Sequence, residues 1–538
     1  MLRGADIVAR TLESLGVKRI FTLSGNHIMP LFDALVSTNI EIVHVRHEAA
    51  CVHMADAWAR LTGDVGIALV TGGQGHSNAA AALFTALAAE SPMLLLSGHA
   101  DLRELGYGAF QELAQAEIAR PMTKASWTAN SASALAEDLV RAFDIAATGR
   151  PGPVHISLPI NLLEERVNTG ELRITGPVAP RRLDPLRLED IRKLVANAAR
   201  PLILCGPAMC SAAGRESMLT LEAASAIPVI GMESPRGVKD PALGCFSEVL
   251  AEADLLLLVG KQLDFTLKFG DAPAVAPDCS FAVIDPDPAM VSRVERTKSG
   301  RVLLSALADP RPTLEDLASK LRGVGPPAWL ERVRKALFFL PKAWGSAVGS
   351  QGRLHPVQLC RIVGEFVEQH AGSTLICDGG EIGQWPQAII KTGRRLINGV
   401  SGTIGASIPF AIAAKAVRPD APVVAVLGDG TFGFHMAEFD TALRCGLPII
   451  AVVGNDSRWN AEYQIQLRRF GAERARYCDL LPSRYDLVVS ALGGFGALAT
   501  STDELRSALG MAHASGKPAC INVMIESMPA PDIRSSDG

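Results

Sequence analysis

The segment Val423–Asn460, VVAVLGDGTFGFHMAEFDTALRCGLPIIAVVGNDSRWN, constrains the fold more than any other part of the chain. Val423 to Leu427 is a short apolar run that reads as a buried strand, and Gly428-Asp429-Gly430 breaks it. Two glycines permit close backbone approach there and leave one carboxylate at the strand's C-terminal end. Helical spacing of Met436, Phe439 and Leu443 predicts a helix from about His435 to Cys445. Leu447 to Val453 reads as a second strand, ending at Asn455-Asp456. The segment is thus a strand–helix–strand crossover with oxygen ligands at both C-terminal strand ends, where open parallel sheets bind their ligands. Hard oxygen ligands beside a Gly-rich turn suit a magnesium–diphosphate group. In isolation, a glycine turn with a capping Asp in an ordinary α/β protein would look the same.

At 538 residues the chain has room for three to four domains at roughly 150 residues each. It is 48% hydrophobic but only 5% aromatic, which suits stacked α/β layers better than an all-β fold. Lys and Arg number 52 against 56 Asp and Glu, so no basic stripe marks a nucleic-acid partner. No run approaches the roughly 18 uninterrupted apolar residues of a membrane span. The N-terminal MLRGADIVARTLESLGV reads as an amphipathic helix rather than a signal peptide. Ten cysteines without a CxxC pair suggest buried thiols in a reducing compartment, and the expected location is cytoplasmic.

Three blocks share an α/β rhythm, and the expected fold class is three doubly wound α/β domains, each with a mostly parallel sheet. The first, 1–170, has strand candidates at Ile20–Leu23, Ile42–Val45, Val65–Val70, Met93–Ser97 and Val154–Ser157. A polar linker surrounds Gly176–Arg182. The second, 183–325, offers Pro201–Leu204, Ile227–Ile230, Leu255–Val259 and Phe281–Ile284, whose ends at Cys205-Gly206-Pro207, Val259-Gly260-Lys261 and Asp285-Pro286-Asp287 are candidates to line a crevice. The third, 350–528, offers Thr374–Cys377, Val423–Leu427, Ile449–Val453, Ala497–Thr500 and Ala519–Val523. The polar tail from Met528 to Gly538 reads as flexible.

The GDG motif, with 24 residues between Gly430 and Asn455, resembles the diphosphate-binding motif of thiamine diphosphate (ThDP) enzymes. Arg46-His47-Glu48-Ala49-Ala50 is similar to the RHE-A-A signature of acetolactate synthase, benzaldehyde lyase, oxalyl-CoA decarboxylase and 2-hydroxyacyl-CoA lyase. The resemblance implies ThDP and Mg2+ as cofactors. It implies that Glu48 binds the cofactor's pyrimidine nitrogen and drives its activation, the carboxylate coming from a neighbouring subunit. Gly402-Thr403-Ile404-Gly405 matches the family's G-x-M-G turn, with Ile404 as the fulcrum of the bent cofactor and the Gly402 carbonyl facing its amino group. Asp429 is implied as a metal ligand. The family often reads Asn-Asn at the second position. Counting 27 residues on from Asp429 gives Asp456, preceded by Asn455, with the Arg458 carbonyl completing the set. Further cofactor contacts are implied for Gly379, Gly380, Glu381, Gly428, Gly430, Thr431 and Phe432.

On the substrate side, Gly25-Asn26-His27 stands where benzaldehyde lyase has Gly-Ala-His, which makes His27 the candidate proton shuttle. His76, in the glycine-rich turn Thr71–Asn78, is a second polar candidate, and Gln111 matches the family's F-Q-E segment. Trp459, Asn460 and Gln464 are candidates to wall the pocket; His44, His47 and His53 have no metal-site spacing. Any of these also suits a purely structural role. Acetolactate synthases hold FAD in the middle domain and the acyl-CoA enzymes hold ADP or CoA. Gly260–Phe265 lacks the R-F-D-D-R signature for FAD, so a nucleotide there is possible but unsupported. The implied activity is an acetolactate synthase-like decarboxylase or carboligase (a lyase or transferase) on 2-oxo acids or aldehydes, in a homodimer or homotetramer with active sites at the subunit interface. The alternative is a 2-hydroxyacyl-CoA lyase or oxalyl-CoA decarboxylase. It loses weight because the chain ends soon after Ile525, where acyl-CoA relatives carry an extension. A non-catalytic ThDP binder and an FAD oxidoreductase are the readings from other classes.

Overall fold

The computed structural model describes residues 1–168 and 179–535. The chain divides into two compact units. The first comprises Met1–Ala179, Ile408–Pro419 and His435–Leu447; the second comprises Pro180–Ser407, Asp420–Phe434 and Pro448–Gly538.

The first unit holds a six-stranded parallel sheet. Its spatial order is Glu41–His44, Arg19–Thr22, Gly66–Val70, Met93–His99, Pro153–Pro159, Ala125–Thr128. Numbered along the chain, that order is 2-1-3-4-6-5. The central strands are buried along their whole length, as parallel strands covered on both faces must be. Helix Gly4–Ser14 packs on one face through Ala5, Ile7, Val8 and Leu12, which realises the amphipathic pattern at the N-terminus. A two-stranded antiparallel ribbon, Leu2–Arg3 with Arg166–Val167, lies apart from the main sheet.

The second unit holds two parallel sheets. The middle one has five strands in the order Val229–Gly231, Pro201–Cys205, Leu255–Val259, Ser280–Ile284, Val302–Ala306, or 2-1-3-4-5. The other has six: Arg395–Ile397, Thr374–Cys377, Val423–Gly428, Ile450–Asn455, Ala519–Met524, Phe495–Ala499. Its order is again 2-1-3-4-6-5, so the first and last sheets share one topology. All three are open parallel sheets with a switch point between strands one and three, where connections leave in opposite directions and a crevice opens.

Several sequence expectations need correction. The single helix from His435 to Cys445 is two short helices, Asp429–His435 and Glu438–Arg444, and Met436 falls in the break between them. The strand expected from Leu447 begins only at Ile450, because Pro448 cannot donate to a central ladder. Strands Ala125–Thr128, Val302–Ala306 and Arg395–Ile397 had no counterpart in the sequence reading. Residues 176–178 of the expected linker and 536–538 of the tail lie outside the described residues. The described part of the tail is anchored rather than loose. Met528 accepts a hydrogen bond from Asn460 (2.7 Å), Ala530 donates to Glu381 (3.1 Å), and Ile533 is buried in the core of the middle sheet.

Candidate functional site

Strands Thr374–Cys377 and Val423–Gly428 flank the switch point of the last sheet. Immediately beyond them come Asp378-Gly379-Gly380-Glu381 and Asp429-Gly430-Thr431. All of these except Asp378 line a cavity of about 230 Å³ together with Gly402, Ile404, Gly428, Asp456, Arg458 and Trp459. Asp429 is 2% exposed, and its Oδ2 has no hydrogen-bond partner among the described residues. Burial pushes its carboxyl up to about 6, against the opposing pull of nearby backbone N–H groups. Asp456 is pushed up to about 7, first by burial and then by the charge of Asp429; the Ser527 hydroxyl and Arg458 pull it down. Two neighbouring carboxylates, one with an orphaned oxygen, carry negative charge that Arg458 and nearby hydrogen-bond donors only partly offset, and a hard divalent cation would satisfy them. Among the described residues no group of three or more His, Cys, Asp or Glu side chains can hold a metal. A cation here therefore needs further oxygens, from the backbone and from a bound phosphate. The turn at Arg458 has a carbonyl to offer: its bridge to Asp479 uses the Trp459 N–H and the Ser457 carbonyl.

Asn455 does not fill the metal role expected of it. It is the last residue of strand Ile450–Asn455, is fully buried and is absent from the cavity wall. Its Nδ2 donates to the Ser483 carbonyl and to Asn522 Oδ1, both at 3.1 Å. Its Oδ1 accepts from the Ser457 N–H and hydroxyl, at 3.1 and 3.3 Å. Strand alternation turns neighbouring side chains to opposite faces, so Asn455 braces the turn while Asp456 faces the cavity.

The glycines of the cavity make room for specific neighbours. A Cβ at Gly379 would stand 2.6 Å from Ile404 Cγ2, and one at Gly430 would stand 2.7 Å from the Trp459 ring. The Ile404 turn is fixed from below by Asp378, which accepts from Gly379 N–H (2.6 Å), Gly405 N–H (2.9 Å) and the Ser407 hydroxyl (2.6 Å). Asn398 Nδ2 donates to the Thr403 carbonyl (2.8 Å) and holds its other side. Thr431 ties its hydroxyl to the Gly428 N–H and carbonyl, whereas Phe432 is fully buried with its ring 5.1 Å from that of Tyr485. Trp459 and Asn460 line the cavity; Gln464 does not, and its amide donates to Asn460 instead. Glu381 accepts from Arg236 (3.0 Å) and from the Ala530 N–H. Arg236 and its neighbour Pro235 reach the cavity from the loop after Val229–Gly231, a contribution that sequence reading missed because no local motif marks it.

In the first unit, Glu48 opens helix Glu48–Thr62, with His47 accepting from the Ala49 N–H as its cap. Glu48 Oε2 accepts from Asn78 Nδ2 (3.0 Å), and Oε1 lies near Gly75, where a Cβ would stand 3.6 Å away. Glu438, unremarked in the sequence, receives the N–H groups of Arg46 (3.0 Å) and His47 (3.1 Å) and fixes the turn that presents Glu48. At the switch point of this sheet, His27 Nδ1 lies 3.3 Å from the Thr71 hydroxyl, and its ring stacks on Phe110. Burial, aided by His99, holds His27 below the usual imidazole range, so it is neutral near pH 7. Gln111 has φ +57 and lies over Gly73, where a Cβ would be 2.6 Å from its own. His76 is fully enclosed: Nδ1 lies 2.9 Å from the Ser97 hydroxyl, its ring packs 4.6 Å from His155, and burial lowers it to about 4. That makes it a member of a buried Ser–His chain rather than a polar group with an open face.

The switch point of the middle sheet is closed. Cys205 and Gly260 form an isolated bridge across it, and Pro310 packs where a Gly260 Cβ would be, at 2.6 Å. Lys261 is buried and donates to the Gln262 carbonyl, Asp264 and Thr266. Asp285 receives the Asp287 N–H (2.9 Å). The crevice expected between these strand ends is filled by the protein's own groups.

Three stretches match the domains of thiamine pyrophosphate enzymes in order: the N-terminal TPP binding domain over residues 2–118, the central domain over 188–317 and the C-terminal TPP binding domain over 378–523. A probable acetolactate synthase of Mycobacterium bovis is 30% identical over 99% of this chain and 98% of its own. A probable acetolactate synthase large subunit of Methanocaldococcus jannaschii is 27% identical over 98% and 92%. The human 2-hydroxyacyl-CoA lyase 2 is 30% identical over 97% and 90%. Three family domains in order over most of the chain, with relatives matched nearly end to end, leave one assignment: this protein belongs to the thiamine diphosphate-dependent enzymes.

Proposed function

We propose that this enzyme uses ThDP and Mg2+ to make or break the carbon–carbon bond beside a carbonyl group, acting on a 2-oxo acid or aldehyde as an acetolactate synthase-like decarboxylase or carboligase. The observation that carries the cofactor reading is the buried, unpartnered Asp429 Oδ2 beside Asp456 at the mouth of a Gly-rich switch point. Asp429, Asp456 and the Arg458 carbonyl hold the cation, and the turns at Gly379 and Gly430 take the diphosphate. When bound, ThDP supplies a thiazolium carbon that serves as an electron sink. Glu48 holds the proton at the pyrimidine ring nitrogen, with Asn78 fixing its orientation. Ile404, on the cavity wall, would pack against the bound cofactor. His27, neutral near pH 7, can accept or return a proton on the substrate side.

In this reading the domains run 1–170, 183–325 and 350–528, and the assembly is a homodimer or homotetramer in which Glu48 serves a partner's cofactor. A cytoplasmic location belongs to the same proposal and rests on cysteine usage, with nine of ten cysteines buried. The human 2-hydroxyacyl-CoA lyase 2, as similar as the bacterial acetolactate synthase, supports a second reading as an acyl-CoA lyase.

A substrate panel with ThDP and Mg2+ separates the two. Carbon dioxide and acyloin products from 2-oxo acids are expected. Aldehyde and formyl-CoA from a 2-hydroxyacyl-CoA, without turnover of 2-oxo acids, would reverse the order. Glu48→Gln is expected to keep ThDP binding and lower turnover by about 10²–10⁴-fold, the usual contribution of a positioned acid–base group; equal activity in both proteins would refute the role.

A further inference from the structure

We propose that Arg236 is a cationic contact for the diphosphate end of the cofactor, held in place by Glu381; this rests on the ThDP reading above and adds a residue from the middle domain to it. The backbone beneath Arg236 is fixed. Ser234 to Gly237 form a turn closed by the Gly237 N–H on the Ser234 carbonyl (3.1 Å), and the Ser234 hydroxyl accepts the Arg236 N–H (3.2 Å). Gly237 has φ +55, and a Cβ there would stand 2.1 Å from the Thr266 carbonyl oxygen, so only glycine fits. Just before the turn, Glu233 receives Arg215 (2.6 Å) and Arg395 (3.1 Å), the latter from the edge strand of the last sheet. The loop is therefore clamped to both sheets of its unit, and the guanidinium it carries is pre-positioned.

Charge balance gives the guanidinium a task. The acids lining the cavity are Glu381, Asp429, Asp456, Glu462 and Glu526, and the basic side chains are Arg236 and Arg458. Arg458 is engaged elsewhere, with Asp479 at 2.9 Å and over the Tyr463 ring at 4.1 Å. A divalent ion offsets the Asp429–Asp456 pair, but a diphosphate adds its own negative charge next to Glu381. Arg236 meets Glu381 through one nitrogen, and its side chain is 42% exposed. The planar fork has five N–H donors, so the others remain to face phosphate oxygens. Glu381 is itself held by the Ala530 N–H and acts as the positioning residue.

The test is calorimetric titration of ThDP, with Mg2+ present, into the full-length protein and its Arg236→Ala, Arg236→Lys, Glu381→Gln and doubly substituted forms. A lost charge-assisted hydrogen bond corresponds to roughly 10- to 100-fold in affinity. Arg236→Ala is expected to weaken binding by that factor, Arg236→Lys to recover part of it, and the double variant to stay as weak as Arg236→Ala. An Arg236→Ala affinity within about twofold of the unaltered protein, against that expected loss, overturns the proposal. So does full recovery in the double variant, which would make Arg236 only a neutraliser of Glu381. Melting curves without ThDP confirm folding, and Arg236→Gln replaces the alanine variant if that one unfolds. No ThDP binding by the unaltered protein would bring down the cofactor reading itself, an outcome distinct from either of these.

Discussion

The two sheets of the second unit open with the same strand order, yet their switch points have opposite fates. In the middle sheet, the Cys205–Gly260 bridge and the Pro310 ring close the gap, and Lys261 makes its hydrogen bonds to its own loop. In the last sheet the equivalent gap stays open as a cavity, and a buried carboxylate oxygen there has no donor among the described residues. Topology offers a crevice in both cases; the difference lies in whether the strand-end polar groups are satisfied from within. Buried polar atoms without partners are costly, so a fold that keeps one at a cavity is built to receive something.

The sharpest way to break this contrast is Asp429→Ala. Loss of an outer-shell partner typically costs about 10–100-fold in metal affinity, and removal of a direct ligand is expected to exceed that, read as Mg2+-dependent ThDP binding. If affinity survives, the open switch point is not the cofactor site. The matching change in the closed one is Lys261→Met. It should leave ThDP affinity unchanged and lower stability by about 1–3 kcal/mol, seen in the denaturation midpoint, because Asp264 and Thr266 lose their buried donor. A parallel loss of ThDP affinity would mean the two switch points are coupled.

A smaller effect separates the two acids by pH. In the metal-free protein, Asp429 and Asp456 titrate at about 6 and about 7, above the ordinary 3.8. The fold therefore prefers their protonated forms, and this stabilisation is complete below the ordinary carboxylate value and lost as pH rises through 6 and 7. Buried histidines act in the opposite sense. His53, lowered to about 3, and His76 and His435, lowered to about 4, stabilise the fold above the usual imidazole value of 6.5 and cease to do so as pH falls through those values. Comparing Asp456→Asn with the unaltered protein isolates the acids. Without Mg2+, the substitution should raise the melting temperature at a pH above 7 and leave it unchanged near the ordinary carboxylate value. Saturating Mg2+ should abolish the gain. An equal gain at both pH values would mean the carboxylates do not repel each other.

What the sequence made legible follows from where each signal is stored. Buried central strands such as Leu255–Val259 and Val423–Gly428 advertise themselves by unbroken apolar runs, and the GDG turn lies in one local window. Within the three large sheets, the strands that escaped notice, Ala125–Thr128, Val302–Ala306 and Arg395–Ile397, all lie at the edges. An edge strand has one ladder partner and one open side, so short and mixed sequences suffice. Asn455 and Asp456 are adjacent acid-amide neighbours with the same ligand chemistry on paper, and only strand alternation decides which of them faces the cavity. Arg236 and Glu381 are 145 positions apart, and Glu438 meets Arg46 across 392. Pairings over such separations leave no local pattern to read.

The last described residues connect distant parts of the second unit, with Ala530 bonded at the cavity wall and Ile533 sunk among the middle-sheet side chains. Residues 528–533 are thus part of the packed structure around the cavity. A cut or substitution within residues 528–535 would loosen the wall of the cavity and the core of the middle sheet together.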